Sequence, residues 1–243
     1  MGAELWARFV DEVAAVLGQA ERELKVPATW AAFTSKRGAL GVGKRSAKAG
    51  AVRPPLEDAL TAELGHIARR LRASLAQGHF LRLHEVAFAT EHLVESRTRT
   101  GRYSRKVDFF IYAQTGEGGP ELAIEAKPLR TASDIGSRYL AAEGLGCFLT
   151  EDSPYTGHSL AGMLAYSIGP EGLSHAAALR AALGSGSAPA LNLDDIQSRG
   201  SGQILLCSRH ARPALSTTPI TIVHLEMQFS PEPDASDGEA GQY

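Results

Sequence analysis

Two cysteines, Cys147 and Cys207, are all that the 243 residues contain. So few exclude a disulfide framework, and their settings in apolar segments read as reduced core thiols, as expected of a cytoplasmic protein. No Cys/His spacing of a zinc site occurs. Nor is there a run near the ~18 uninterrupted apolar residues of a membrane span, because Arg, Glu, His or Gly breaks every hydrophobic stretch. A secretory leader is not expected: Glu4, Arg8, Asp11 and Glu12 interrupt the first apolar pattern, and no small-residue cleavage site follows. At 44% hydrophobic and 21% charged residues the chain is too apolar for disorder throughout and falls among soluble globular proteins.

A near-neutral total hides two charged halves. Residues 1–106 hold 18 Lys and Arg against 11 Asp and Glu, a net +7, while residues 107–243 hold 7 against 16, a net -9, which together make the -2 of the whole. Lys36, Arg37, Lys44, Arg45, Lys48 and Arg53 fall in one Gly/Ala-rich stretch without an acid, and Arg97, Arg99, Arg102, Arg105 and Lys106 form a second such group. Either run alone reads as solvated surface. Two in one half of the chain favour contact with phosphates, since each neutralised phosphate releases counterion.

Apolar residues three or four apart, Leu5 through Leu24, predict an amphipathic helix over residues 3–24. Residues 34–55 are rich in Gly, Ser, Ala, Lys and Arg, end in Pro54-Pro55, and read as loop. A second long helix, opened by Pro55 and ended by Gly78, carries the stripe Leu56, Leu60, Leu64, Ile67, Leu71 and Leu75. Strands are expected at 81–89, 107–113 and 121–127, the last two joined as a hairpin by a Gly-rich turn. Beyond Pro128 come a helix at 131–143, a short strand at 145–149, helices at 159–168 and 171–183, and strands at 203–207 and 220–228. The pattern is that of an α/β domain with a mixed central sheet flanked by helices. From Ser230 the chain is acidic, with no large apolar residue, and reads as a disordered tail. Residues 1–53 are thus an N-terminal helix and basic loop, 54–229 the main domain and 230–243 the tail.

The chemistry lies in the hairpin, Lys106-Val107-Asp108-Phe109-Phe110-Ile111 followed by Leu122-Ala123-Ile124-Glu125-Ala126-Lys127. Strand alternation puts Glu125 and Lys127 on one face and Ile124 and Ala126 on the other, and Asp108 can come level with Glu125 on the neighbouring strand. Two carboxylates and an ammonium would then meet among apolar residues. Burying them uncompensated costs several kcal/mol, and a hard divalent cation with oxygen ligands, Mg²⁺ above all, offsets that cost.

An acid on one strand and Glu-x-Lys on the next, here Asp108 and Glu125-Ala126-Lys127 with sixteen residues between the two acids, resembles the PD-(D/E)XK nuclease superfamily, of restriction-endonuclease-like fold. Val107 stands where the family name has proline. The resemblance covers roughly residues 54–168. It implies an endonuclease in which Asp108, Glu125 and the Ala126 carbonyl hold Mg²⁺, with Mn²⁺ able to substitute, and in which Lys127 attends the attacking water. It also implies a glutamate from the preceding helix. On a 100° wheel Glu57 lies about 50° and Glu63 about 70° from the centre of the apolar stripe, which favours Glu57. The partner implied is nucleic acid, double-stranded DNA first. Lys44, Arg45, Arg102, Arg105, Lys106, Arg130, Arg138, Tyr139 and His210 are the candidate contacts, and the segment 154–163 is a candidate cleft wall. A restriction or anti-phage effector, as a homodimer or as a subunit of a defence complex, is the context the resemblance implies.

Other motifs carry less. Gly38 to Arg45 mimics a phosphate-cradling loop, but Arg45 stands where Ser or Thr should bind magnesium. Gly157-His158-Ser159-Leu160-Ala161 resembles a nucleophile elbow, yet no strand runs straight into Ser159. The alternatives to a nuclease are an idle nucleic-acid-binding or scaffold subunit and, further off, a serine hydrolase.

Overall fold

The computed structural model describes residues 3–41, 54–94, 104–114, 119–150, 154–170, 173–184, the backbone of 193–197, 204–213, 215–216 and 218–230. Among the described residues five α-helices, α1 (Ala3–Leu24), α2 (Pro27–Thr34), α3 (Glu57–Ser74), α4 (Phe80–Leu83) and α5 (Ala176–Gly184), accompany seven strands. These are β1 (Ala87–Leu93), β2 (Lys106–Tyr112), β3 (Glu121–Leu129), β4 (Leu160–Ile168), β5 (Leu193–Gln197), β6 (Ile204–His210) and β7 (Ile220–Phe229). They form one mixed sheet in the order β1-β2-β3-β4-β7-β6-β5. The β3-β4 and β4-β7 pairs are parallel and the outer pairs antiparallel.

Helices cover one face. The apolar stripe of α1, Phe9, Val13, Leu17, Ala20 and Leu24, is buried in a core shared with Leu60, Leu64 and Ile67 of α3 and with Ile124, Leu164 and Leu225 of the sheet. Stacking of Trp30 on Phe229 and the bond from the Gln228 amide to Glu21 Oε1, 2.9 Å, join the N-terminal helices to β7. On the other face Ile135, Tyr139, Leu145, Phe148, Leu179 and Leu183 pack over Met163, Ala165, Leu206 and Ile222. Among the described residues no helix is long and apolar enough to cross a membrane.

Several local expectations are corrected. The helix expected at 159–168 is instead strand β4, Leu160–Ile168, buried along almost its whole length between two parallel neighbours. Burial on both faces makes such a strand uniformly apolar and removes the period-two signal. Residues 145–149 form a 3₁₀ turn rather than a strand, and the helix expected at 131–143 is reduced to a π-helical turn at Ile135–Tyr139. The strand expected from Leu81 begins only at Ala87. Before it Phe80–Leu83 turns as α4, whose cap is His79 Nδ1 accepting from the Leu81 amide at 3.3 Å. Helix α3 starts at Glu57 rather than Pro55 and ends at Ser74. Helix α2 and strand β5 were not expected. The acidic tail beyond Ser230 lies outside the described residues.

Candidate active site

Strands β2 and β3 pair through Phe109 and Ile124. Continuing that register puts Asp108 level with Glu125. There the ladder gives way to a side chain, for Asp108 Oδ2 accepts the Ala126 amide hydrogen at 2.6 Å. Lys127 reaches back along β3 and donates to Glu125 Oε1 at 2.6 Å and to the Ala126 carbonyl at 2.9 Å. It donates also to Glu57 Oε1, 3.1 Å away in the first turn of α3. A carboxylate there is favoured by the unpaired amides of the helix N-terminus. One turn on, the Thr61 hydroxyl and Tyr166 Oη, 2.9 Å apart and buried, hold α3 against β4. Glu63 turns elsewhere and pairs with Lys36 at 2.5 Å. Geometry therefore selects Glu57 as the acid from the helix.

Glu57 and Glu125 share one ammonium, and Asp108 lies within reach of its charge. The Glu125 side chain is only 7% exposed and that of Lys127 14%, so charge imbalance here is poorly screened. Burial, then the charge of Asp108, pushes the Glu125 carboxyl up to about 8. Burial also raises Asp108 and Glu57, against the opposing pull of the Ala126 amide on Asp108 and of Lys127 on both. Lys127 stays above the ordinary lysine value: burial lowers it, but Glu125, Glu57 and Asp108 outweigh that. The second oxygen of Glu125, Oε2, is buried and receives no hydrogen bond. A buried carboxylate oxygen without a donor calls for a proton or a cation. Protonated, it can donate to Asp108, which is consistent with the partial lowering of Asp108 by Glu125.

The donor set fits a hard divalent ion. Glu125 Oε2 and Asp108 are carboxylate oxygens and the Ala126 carbonyl is a third oxygen on the same strand end. At present Lys127 bonds that carbonyl and two of the acids, supplying the positive charge itself. Among the described residues no three His, Cys, Asp or Glu side chains form a ready-made cage.

Two neighbours escaped sequence reasoning as members of this site. The Tyr155 amide donates to the Cys147 carbonyl at 3.1 Å, the Cys147 thiol donates to the Ala142 carbonyl at 3.4 Å, and both the phenol and the thiol are raised by burial and then by Glu125. Arg212 clamps the segment that carries Tyr155, bonding the carbonyls of Thr156 and Gly157 at 3.0 Å each and that of His158. Only the membership of Tyr155 in the 154–163 segment hinted at this.

The expected nucleic-acid contacts disperse. Lys44, Arg45 and Arg102 lie outside the described residues. Arg105 is half-buried beside Cys147. Lys106 is exposed and pairs with Glu91 at 3.0 Å, Arg138 pairs with Asp134 at 3.5 Å, and Arg130 is exposed. Tyr139 and His210 are corrections: both are fully buried. Tyr139 Oη lies 3.1 Å from His224 Nδ1, and Ser208 Oγ lies 2.7 Å from both His210 Nε2 and His224 Nε2. A side chain spent on the core cannot touch a phosphate outside it. Ser159 is exposed at the entrance to β4, not at the end of a strand, so no nucleophile elbow forms.

No protein-family model, no curated protein and no solved structure matches the chain.

Proposed function

We propose that this protein is a metal-dependent nuclease of the PD-(D/E)XK kind, hydrolysing phosphodiester bonds, in DNA first of all. The observation that carries the reading is the convergence of Asp108, Glu125 and Lys127 where β2 and β3 part, with one Glu125 oxygen buried and lacking a donor. Helix α3, hairpin β2-β3 and parallel strand β4 follow one another in the order the resemblance implies, with the helix expected between β3 and β4 reduced to the turn at Ile135–Tyr139, and Glu57 arrives from the preceding helix.

Asp108, Glu125 and the Ala126 carbonyl would hold Mg²⁺, or Mn²⁺ in its place, and the ion would polarise the scissile phosphate and stabilise charge on the departing oxygen. The chain's own residues supply the rest. Lys127, kept protonated by its three acidic neighbours, would donate to a phosphate oxygen or orient the attacking water. Glu57 would hold that ammonium in place once Glu125 turns to the ion. The raised Glu125 would surrender its proton on loading. Two copies related by a two-fold axis would suit cutting of both duplex strands, and a role in restriction or anti-phage defence accords with this reading.

Plasmid nicking with Mg²⁺ is the test. It should vanish in EDTA and in Asp108→Ala and Lys127→Ala. Nucleic acid bound but never cut, with any divalent ion, would leave an idle binding subunit in its place.

A further inference from the structure

We propose that the cleft between the C-terminal part of α3, α4 and the start of β1 is a binding site for a phosphate-bearing ligand, separate from Asp108 and Glu125. The cleft measures about 520 Å³, and Arg69, Arg72 and Arg82 line it together with Gln77, Gln114 and Glu85. Three guanidiniums face one carboxylate. Among the described residues none of the three forms an ion pair. Arg69 donates to the Phe88 carbonyl at 3.1 Å and Arg82 to the Ala73 carbonyl at 2.5 Å, bonds that orient a guanidinium without neutralising it. The Nε of Arg72 is buried and lacks a partner.

A guanidinium has five N–H donors in a planar fork, so a single backbone bond fixes its direction and leaves most donors for a ligand. Three such forks, with two amide side chains beside them, match an anion that presents several oxygens and more than one charge. Phosphate does so, whereas a lone carboxylate would satisfy only one fork. Arg69 and Arg72 stand about 18 and 22 Å along α3 from Glu57 at ~1.5 Å per residue. A phosphate held here is therefore not the one at the Asp108 site. It belongs either to a polynucleotide backbone some five or six steps away, at ~3.4 Å per base pair, or to a free nucleotide.

Binding of tripolyphosphate by calorimetry and of a short DNA duplex by fluorescence anisotropy, both with the full chain in EDTA, tests this. Arg72→Gln and Arg82→Gln should weaken at least one probe about tenfold. Glu85→Gln, which keeps every arginine and removes the opposing charge, should tighten the same probe about twofold or more. A response of tripolyphosphate alone assigns a free nucleotide. A response of the duplex, with a salt slope lowered by about one per arginine, assigns a polynucleotide backbone. Failure of both probes to bind, or affinities unchanged in all three variants, overturns the proposal. Cleavage plays no part in these measurements, so an unresponsive cleft leaves the nicking test intact, and a failed nicking test leaves the cleft.

Discussion

The amide hydrogen of Ala126 goes to the side chain of Asp108, with Oδ2 2.6 Å away. Just beyond the last paired residues, Phe109 and Ile124, a carboxylate thus takes the place of the next rung of the ladder. That substitution opens the hairpin at the point where Glu125 and Lys127 face inward, and it gives Asp108 a structural part beside the chemical part proposed for it.

The two parts separate in Asp108→Asn, which keeps an oxygen for the Ala126 amide but loses the charge. Mg²⁺-dependent nicking should fall at least ~100-fold, while the melting temperature moves by only a few degrees. Full activity in the variant would remove Asp108 from the ligand set.

Glu125, raised to about 8 by burial and by Asp108, carries a proton at pH 7 when no ion is bound. Mg²⁺ binding at pH 7 should then release close to one proton, fading as pH rises past 8, and affinity should climb between pH 6 and 8. Calorimetry in two buffers of different ionisation enthalpy measures this directly. Proton release near zero at pH 7 would contradict it.

Lys127→Met leaves Glu57 and Glu125 without their shared ammonium. Removing one partner of a buried pair costs about 3 kcal/mol, or roughly 2–4 °C of melting temperature per kcal/mol in a chain of this size. The loss should be smaller at pH 6, where Glu125 takes a proton, than at pH 8.5. Added Mg²⁺ should restore part of it, but not cleavage. A loss independent of pH would mean that packing, not charge, is what Lys127 supplies.

His224 is fully buried, and burial followed by the neighbouring His210 pushes its imidazole down to about 3. Unfolded, it binds a proton below its ordinary value near 6.5; folded, it does not until about 3. Its contribution is therefore complete above pH 6.5 and is lost as pH falls towards 3, at up to ~1.4 kcal/mol per pH unit. Urea unfolding at several pH values should show a shallower acid slope in His224→Asn than in the wild type. Equal slopes would place the acid sensitivity elsewhere.

Gly162 on β4 lies opposite Ile124 on β3, and a Cβ there would meet Ile124 Cγ1 at 2.8 Å. The contact is with the branched, stiff root of a core side chain. Gly162→Ala should cost about 1–3 kcal/mol, read by chemical denaturation, and Gly162→Ala with Ile124→Val should recover part of that cost. No change in stability would show that the strands can slide apart freely.

Residues whose identity constrains local geometry could be read early. The three-to-four spacing of Phe9, Val13, Leu17 and Leu24 wrote α1, because one helical face had to be apolar and the other wet. Two apolar segments, 107–113 and 121–127, joined by a Gly-rich turn wrote the hairpin and with it the pairing of Asp108 and Glu125. Strand β4 was illegible for the opposite reason: Leu, Ala, Met and Tyr buried on both sides leave no contrast between faces. Tyr139 and His210 read as polar contacts, since a buried hydrogen-bond chain through Ser208 and His224 joins residues up to 85 positions apart.

Chain chemistry and short-range periodicity therefore settled which acids and which lysine meet, because a β-hairpin brings them together by register alone. Long-range packing decided that Glu57 rather than Glu63 completes the group, that Tyr155 and Cys147 stand beside it, and that Arg69, Arg72 and Arg82 line one cleft. Those juxtapositions depend on how α3 lies across the sheet and where loops return to it, and many distant contacts acting together fix that placement.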